Sequence, residues 1–306
     1  MLSYPRPGAM LVRALPLLAL LFLASPAPAQ QGLKVYISVD LEGAAGVVTP
    51  DQLGPAGFEY QRFREILTAE VNTAIAAARE AGATEIVVSD SHGNGENLLM
   101  ERLPADIQLV RAWPRPLAMM QGIDDSFDAV LLLAYHASTG NPRGVRAHTM
   151  SSASFTEIRL NGRAIPEAGI SAAIAGDFGV PVVMLSGDDA IAEEATALLG
   201  PIETVVTKWS YGYHSARTLM PEAVNALIRE KVKAALGRLG SFQPFRVEGP
   251  VTLDLSFKNY MPAEVLAYLP NVDRVDSHTV RFVGKDMTEV SKFIEFVTNY
   301  RIDLAP

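Results

Sequence analysis

At 306 residues, 49% hydrophobic and 20% charged, the chain is long and apolar enough to bury a sizeable core as one large or two modest domains, which excludes a disordered protein. Its formal charge of −8 argues against nucleic acid as a partner. The absence of cysteine rules out a disulfide framework and an acylated lipobox cysteine, and leaves oxygen and nitrogen donors for any metal site.

Residues 1–29 read as a signal peptide. Arg6 and Arg13 precede the apolar run 14–24, and Ala27-Pro28-Ala29 presents the small-x-small pattern that signal peptidase cuts. A membrane anchor is the competing reading, but the run holds only eleven residues and Pro16 interrupts it, whereas a span needs about twenty. Cleavage after Ala29 removes both arginines, takes the formal charge from −8 to −10, and predicts an exported protein, periplasmic or secreted, with no stable membrane insertion.

Beyond Gln31, short β-branched runs alternate with longer helical patterns, which predicts an α/β fold with a mostly parallel sheet flanked by helices. Residues 34–39 form the first strand. Residues 60–81 form a helix, because Phe63, Leu67, Val71, Ala74 and Ala78 recur at helical spacing before Gly82. Residues 85–89 are the next strand, and the almost wholly apolar 129–134 is a strand buried on both faces. Residues 155–160 and 163–165 flank Asn161-Gly162 as a hairpin, and a helix begins near Glu167. Strands at 182–185 and 204–206 enclose the alanine-rich helix 190–199, and 221–239 is another long helix. After a linker at 241–245 the pattern changes to Val251, Leu253, Leu255 alternation, a short helix at 263–268, a strand at 279–282 and a closing helix at 287–300. The expected organisation is therefore an α/β domain over 30–240 and a smaller C-terminal α+β domain over 246–306.

The candidate chemistry sits at the predicted strand ends, where open α/β sheets bind their ligands. Asp40 and Glu42 follow the first strand, separated by one residue, so both project from one face if the extended conformation persists. Two carboxylates so close repel each other unless a cation holds them. Taken alone the pair reads equally as a solvated acidic turn. The second strand, however, ends in Asp90-Ser91-His92-Gly93, the third in Tyr135-His136, and Glu167 opens the helix after the hairpin. A helix dipole alone accounts for a carboxylate at Glu167, and a loop histidine such as His148 is ordinarily a surface group. Yet of five histidines in the chain, His92, His136 and His148 fall in this one region.

Two histidines and three carboxylates suit zinc or manganese rather than calcium. Asp40 is the natural bridge between two ions about 3.5 Å apart, and His148 is the candidate for proton transfer or transition-state stabilisation. Gly187-Asp188-Asp189 is better explained by helix capping than by ligation. Asn141, Arg143 and Arg146 fit either a guanidinium fork for a substrate carboxylate or a solvated loop.

Six strings, Ser38-Val39-Asp40-Leu41-Glu42-Gly43, Asp90-Ser91-His92, Gly122-Ile123-Asp124-Asp125-Ser126-Phe127, Tyr135-His136-Ala137, His148-Thr149-Met150 and Gly187-Asp188-Asp189, together resemble the M55 family of zinc D-aminopeptidases. The likeness runs in order from residue 34 to the C-terminus. It implies removal of N-terminal D-residues, notably D-alanine, from short peptides. It implies one zinc on Asp40, Glu42 and His92 and another on Asp40, His136 and Glu167, with His148 at the catalytic position, described for the family as a nucleophile. It also implies a ring-shaped homodecamer enclosing a channel. Ile165-Pro166 departs from the Val-Gly expected there, and the signal peptide departs from an intracellular typical member, which makes peptides from cell-wall turnover the expected substrates. Two other readings stay open at this level: a two-metal hydrolase acting on a different amide or a phosphate ester, and an exported peptide- or metal-binding protein without turnover.

Overall fold

The computed structural model describes residues 1–5, 8 and 32–300, so most of the expected signal segment 1–29 and the end of the chain lie outside the described residues. Among the described residues twelve strands follow in chain order: β1 (Leu33–Val39), β2 (Ala83–Asp90), β3 (Gln108–Val110), β4 (Ala129–Tyr135), β5 (Phe155–Leu160), β6 (Arg163–Ala164), β7 (Val182–Asp188), β8 (Glu203–Gly212), β9 (Ser215–Thr218), β10 (Val251–Phe257), β11 (Val272–Arg274) and β12 (Thr279–Gly284). The α-helices are α1 (Tyr60–Glu80), α2 (Glu167–Asp177), α3 (Asp189–Leu199), α4 (Pro221–Leu236), α5 (Tyr260–Leu266) and α6 (Met287–Asn299). Among the described residues no helix is long and apolar enough to cross a membrane.

The larger sheet has the order β3-β2-β1-β4-β7-β8-β9 and is parallel except for β9, which returns antiparallel to β8. Every residue of β4 and β7 is buried, as expected of strands covered on both faces. The chain adds strands on one side of β1 and then crosses to the other at β4, so the carboxyl ends of β1 and β4 frame a topological switch point, the preferred ligand crevice of such sheets. The α/β class and the flanking helices agree with the sequence pattern.

The smaller sheet, β11-β12-β10-β5-β6, is antiparallel and corrects the expected domain boundary. Hairpin β5-β6, which the sequence pattern placed inside the 30–240 domain, pairs with β10, setting Leu253 opposite Leu160 and Leu255 opposite Ile158. Residues 246–306 are therefore not a self-contained α+β unit. The reason is the apolar face of the hairpin: Phe155, Ile158 and Leu160 are buried, and the alternating face of Val251, Leu253 and Leu255 covers it. Strands β3, β9 and β11 are additions, three or four residues long and too short to show the apolar alternation that marks a strand locally.

Candidate metal centre

Extended backbone ends at Val39, so the carboxylates of Asp40 and Glu42 do not meet by strand alternation. Instead the chain turns while staying pinned to β4: Asp40 N donates to Leu133 O (2.9 Å) and Gly43 N to Ala134 O (2.7 Å). A Cβ on Gly43 would lie 2.1 Å from Tyr135 O, so this approach admits only glycine, and Gly46 takes φ of 79° to complete the turn.

His92 sits on a loop folded around Asp90, whose carboxylate accepts from Asn97 N (2.6 Å), Leu98 N (2.7 Å) and Asn97 Nδ2 (2.7 Å), while the same Nδ2 also donates to His92 O (2.7 Å). His136 directly follows β4. His148 lies on a loop whose Val145 N donates to Asp188 Oδ2 (2.6 Å); the other oxygen of Asp188 caps α3 by accepting from Ile191 N (2.8 Å). Arg146 and Met150 on either side of His148 have φ of 58° and 63°, conformations that cost L-residues about 1–2 kcal/mol each. Glu167, at the start of α2, accepts from Met150 N (2.7 Å).

These elements bring all six residues together. His92 Nδ1 is 3.2 Å from Asp40 Oδ1 and 2.8 Å from Glu42 Oε2. His136 Nε2 is 3.3 Å from Asp40 Oδ2 and 3.4 Å from Glu167 Oε1. His148 Nε2 is 3.7 Å from Glu167 Oε1 and 4.0 Å from Glu42 Oε1. The two oxygens of Asp40 thus serve different histidines.

Each histidine is oriented from behind by a carbonyl that can only accept. His92 Nε2 donates to Leu53 O (2.7 Å), His136 Nδ1 to Ala137 O (3.0 Å) and His148 Nδ1 to Arg146 O (2.8 Å). In the neutral ring the other nitrogen then carries a lone pair into the cluster, the arrangement that metal-ligating imidazoles adopt. Buried Asp40 Oδ2, Glu42 Oε2 and His136 Nε2 have no hydrogen-bond partner among the described residues; leaving each unmet costs roughly 1–3 kcal/mol. A divalent cation with a taste for nitrogen and oxygen meets all three needs at once, so the residues fit such an ion. Three donor groups lie close enough to share one: Asp40, Glu42 and His92; Asp40, His136 and Glu167; and Glu42, His136 and His148.

Burial and mutual contact shift all six groups. Burial, then the neighbouring Glu42, pushes Asp40 up to about 8. Burial opposes ionisation of Glu42 and Glu167 too, but the facing imidazoles outweigh it and hold Glu42 well below, and Glu167 below, the usual carboxylate range. Burial likewise opposes charge on His92 and His136, yet Glu42 beside the first and Glu167 beside the second raise both well above the ordinary value. His148 goes the other way, lowered by burial and by His136.

Asp40, Glu42, His92, His148 and Glu167 line a cavity of about 890 Å³ whose lining also includes the apolar side chains of Phe155, Phe257, Pro262, Val265 and Leu266. His214, in the turn between β8 and β9, and the exposed His278 join none of the three donor groups. Arg143 pairs with exposed Glu193 and Arg146 packs over Tyr213, and neither is among the residues that line the cavity. Two participants escape sequence reasoning. Lys208 on β8 is fully buried, which brings its ammonium down to about 8, and Glu70 on α1 is buried and pushed up to about 7. A signal existed for Glu70, seven positions after Phe63 on the apolar stripe of α1.

The model of the peptidase family M55, D-aminopeptidase, matches residues 33–296. A D-aminopeptidase of Bacillus subtilis strain 168 is 34% identical over 258 residues, 84% of this chain and 93% of the relative. The solved structure of the Zn-dependent D-aminopeptidase DppA from Bacillus subtilis, a self-compartmentalizing protease, superposes with a TM-score of 0.85 at 33% identity, covering 89% of this chain and all of that one.

Proposed function

Because the chain belongs to the M55 family of D-aminopeptidases, we propose that it is an exported two-zinc aminopeptidase that releases N-terminal D-residues, D-alanine among them, from short peptides. The observation that carries the two-ion reading is the division of Asp40, with Oδ1 toward His92 and Oδ2 toward His136. Asp40, Glu42 and His92 would hold one zinc, and Asp40, His136 and Glu167 the other. The zinc-dependent relative supports the choice of metal.

When bound, zinc supplies Lewis acidity, polarising a peptide carbonyl and lowering the pKa of water. The chain's own residues do the rest. His148 stays neutral because burial and the adjacent His136 disfavour its charged form, and Nε2 faces the cluster with a lone pair. Its Nε2 takes a proton from the water that adds to the peptide carbonyl carbon and gives it to the amine nitrogen as the C–N bond breaks. The apolar part of the lining excludes water and receives substrate side chains, and Lys258 is the one lysine or arginine lining the cavity among the described residues, which favours a peptide over a phosphate ester.

Export rests on the pattern of residues 1–29. A homo-oligomer, a homodecamer by family resemblance, rests on the self-compartmentalizing relative and is compatible with exposed Tyr260, Met261, Val265 and Tyr268 on and after α5.

The test measures zinc content and hydrolysis of D-alanyl peptides on one purified sample, with N-terminal sequencing of the protein recovered from cells. Two zinc equivalents, D-selective release and a mature start at Gln30 are expected. Two equivalents with no hydrolysis of any D- or L-peptide would sink the peptidase reading.

A further inference from the structure

The turn carrying Glu42 is buried from residue 41 to 45, where backbone groups need partners. Strand β4 and internal bonds serve only part of it. The remaining bonds come from side chains far away in sequence. Lys208 Nζ donates to Glu42 O (2.5 Å) and to Val47 O (2.7 Å), and Thr207 Oγ1 donates to Gly43 O (2.6 Å). Glu70 Oε1 accepts from Ala45 N (2.9 Å) and Thr218 Oγ1 from Gly46 N (2.9 Å). The Lys208 ammonium grips both ends of the turn, and it is spent on carbonyls, with no carboxylate within ion-pair distance among the described residues.

We propose that Lys208 and Thr207, adjacent on β8, are positioning residues that lock the 42–47 turn so that the Glu42 carboxylate meets His92 and Asp40, making the ion held by Glu42 depend on them. This rests on the two-zinc reading above. Because Glu42 serves one ion only in that reading, the dependence is selective. His136 and Glu167 are placed by β4 and α2, which neither residue touches through a hydrogen bond.

The experiment uses the full mature protein and three variants, Lys208→Met, Lys208→Arg and Thr207→Val. Zinc is titrated against a competing chelator, and hydrogen–deuterium exchange is followed in the zinc-free protein. In Lys208→Met the affinity of one of two sites should fall by about 10- to 100-fold, the scale on which supporting partners act, while the other stays nearly constant. Exchange should quicken in residues 41–48 and not in β4 or α2. Lys208→Arg, which retains donors, should recover part of the loss. Thr207→Val, nearly isosteric, should show the same selectivity in weaker form, and decides the matter if Lys208→Met does not fold. Unchanged affinity and exchange would overturn the proposal, as would equal loss at both sites with exchange rising everywhere, which is general destabilisation. If the natural protein takes up no zinc, the two-zinc reading fails, while exchange in residues 41–48 still decides whether Lys208 holds the turn.

Discussion

The imidazole of His148 lies flat on that of His136, with ring centroids 4.0 Å apart and planes inclined by 10°. Stacking fixes the plane of His148 and the bond to Arg146 O fixes its rotation, so Nε2 is aimed without being tied to any one carboxylate. This separates its role from that of the five residues closer together.

His148→Ala should therefore keep its metal and lose turnover by about 100-fold or more, the contribution of a positioned acid–base group. Metal analysis beside steady-state kinetics checks this. Metal lost in proportion to activity would instead make His148 a ligand, as the grouping of Glu42, His136 and His148 permits.

Asp40 and Glu42 should differ in kind. Asp40→Ala removes both oxygens of the proposed bridge and should empty both sites, whereas Glu42→Ala should leave close to one zinc per chain. Elemental analysis after dialysis distinguishes them, and identical stoichiometries would contradict the bridge. Stripping zinc from the natural protein should also lower its Tm, because free zinc at a thousandfold over Kd contributes about 4 kcal/mol.

Glu70 sets a pH dependence independent of the ligands. Its folded pKa is raised by burial to about 7 against an ordinary 4.5, so between these values the folded state binds more protons than the unfolded one. Stability contributed by this group is therefore full below about 4.5 and is lost as pH rises to 7. Glu70→Gln keeps an oxygen for Ala45 N without the buried charge. Relative to the natural protein it should gain stability as pH rises from 4.5 to 7, by something of the order of 2–3 kcal/mol at the upper end. Urea unfolding at three pH values measures this, and a difference that does not grow with pH would refute it.

The apolar part of the cavity lining should act on binding more than on chemistry. Leu266→Asp places a charge where substrate side chains are received, and should raise KM by about tenfold with little change in kcat, consistent with a cost of a kilocalorie or more for burying a polar group. A fall in kcat at constant KM would locate the lining's effect in the reaction step.

What the sequence determined by itself was periodic and terminal. Apolar strands and amphipathic helices carry their own repeat, so β1, β2, β4, β7 and most of the helices were legible from residue spacing, as was Asp188 as the cap of α3. Parallel strands deliver their carboxyl ends to one edge, and for that reason Asp40, His92 and His136 could be expected in one place before any coordinates.

Only the tertiary structure decided how they meet. The division of the two Asp40 oxygens depends on the turn at Gly43 pressed against Tyr135 O, not on the strand alternation that the D-x-E spacing suggested. The hairpin β5-β6 joined β10 because an apolar face seeks cover wherever the chain supplies it, and local pattern carries no address for the partner. Lys208 stands 166 positions from Glu42; on β8 it is an unremarked lysine in a strand, and its importance arises from the unpaired carbonyls that folding buries beside it.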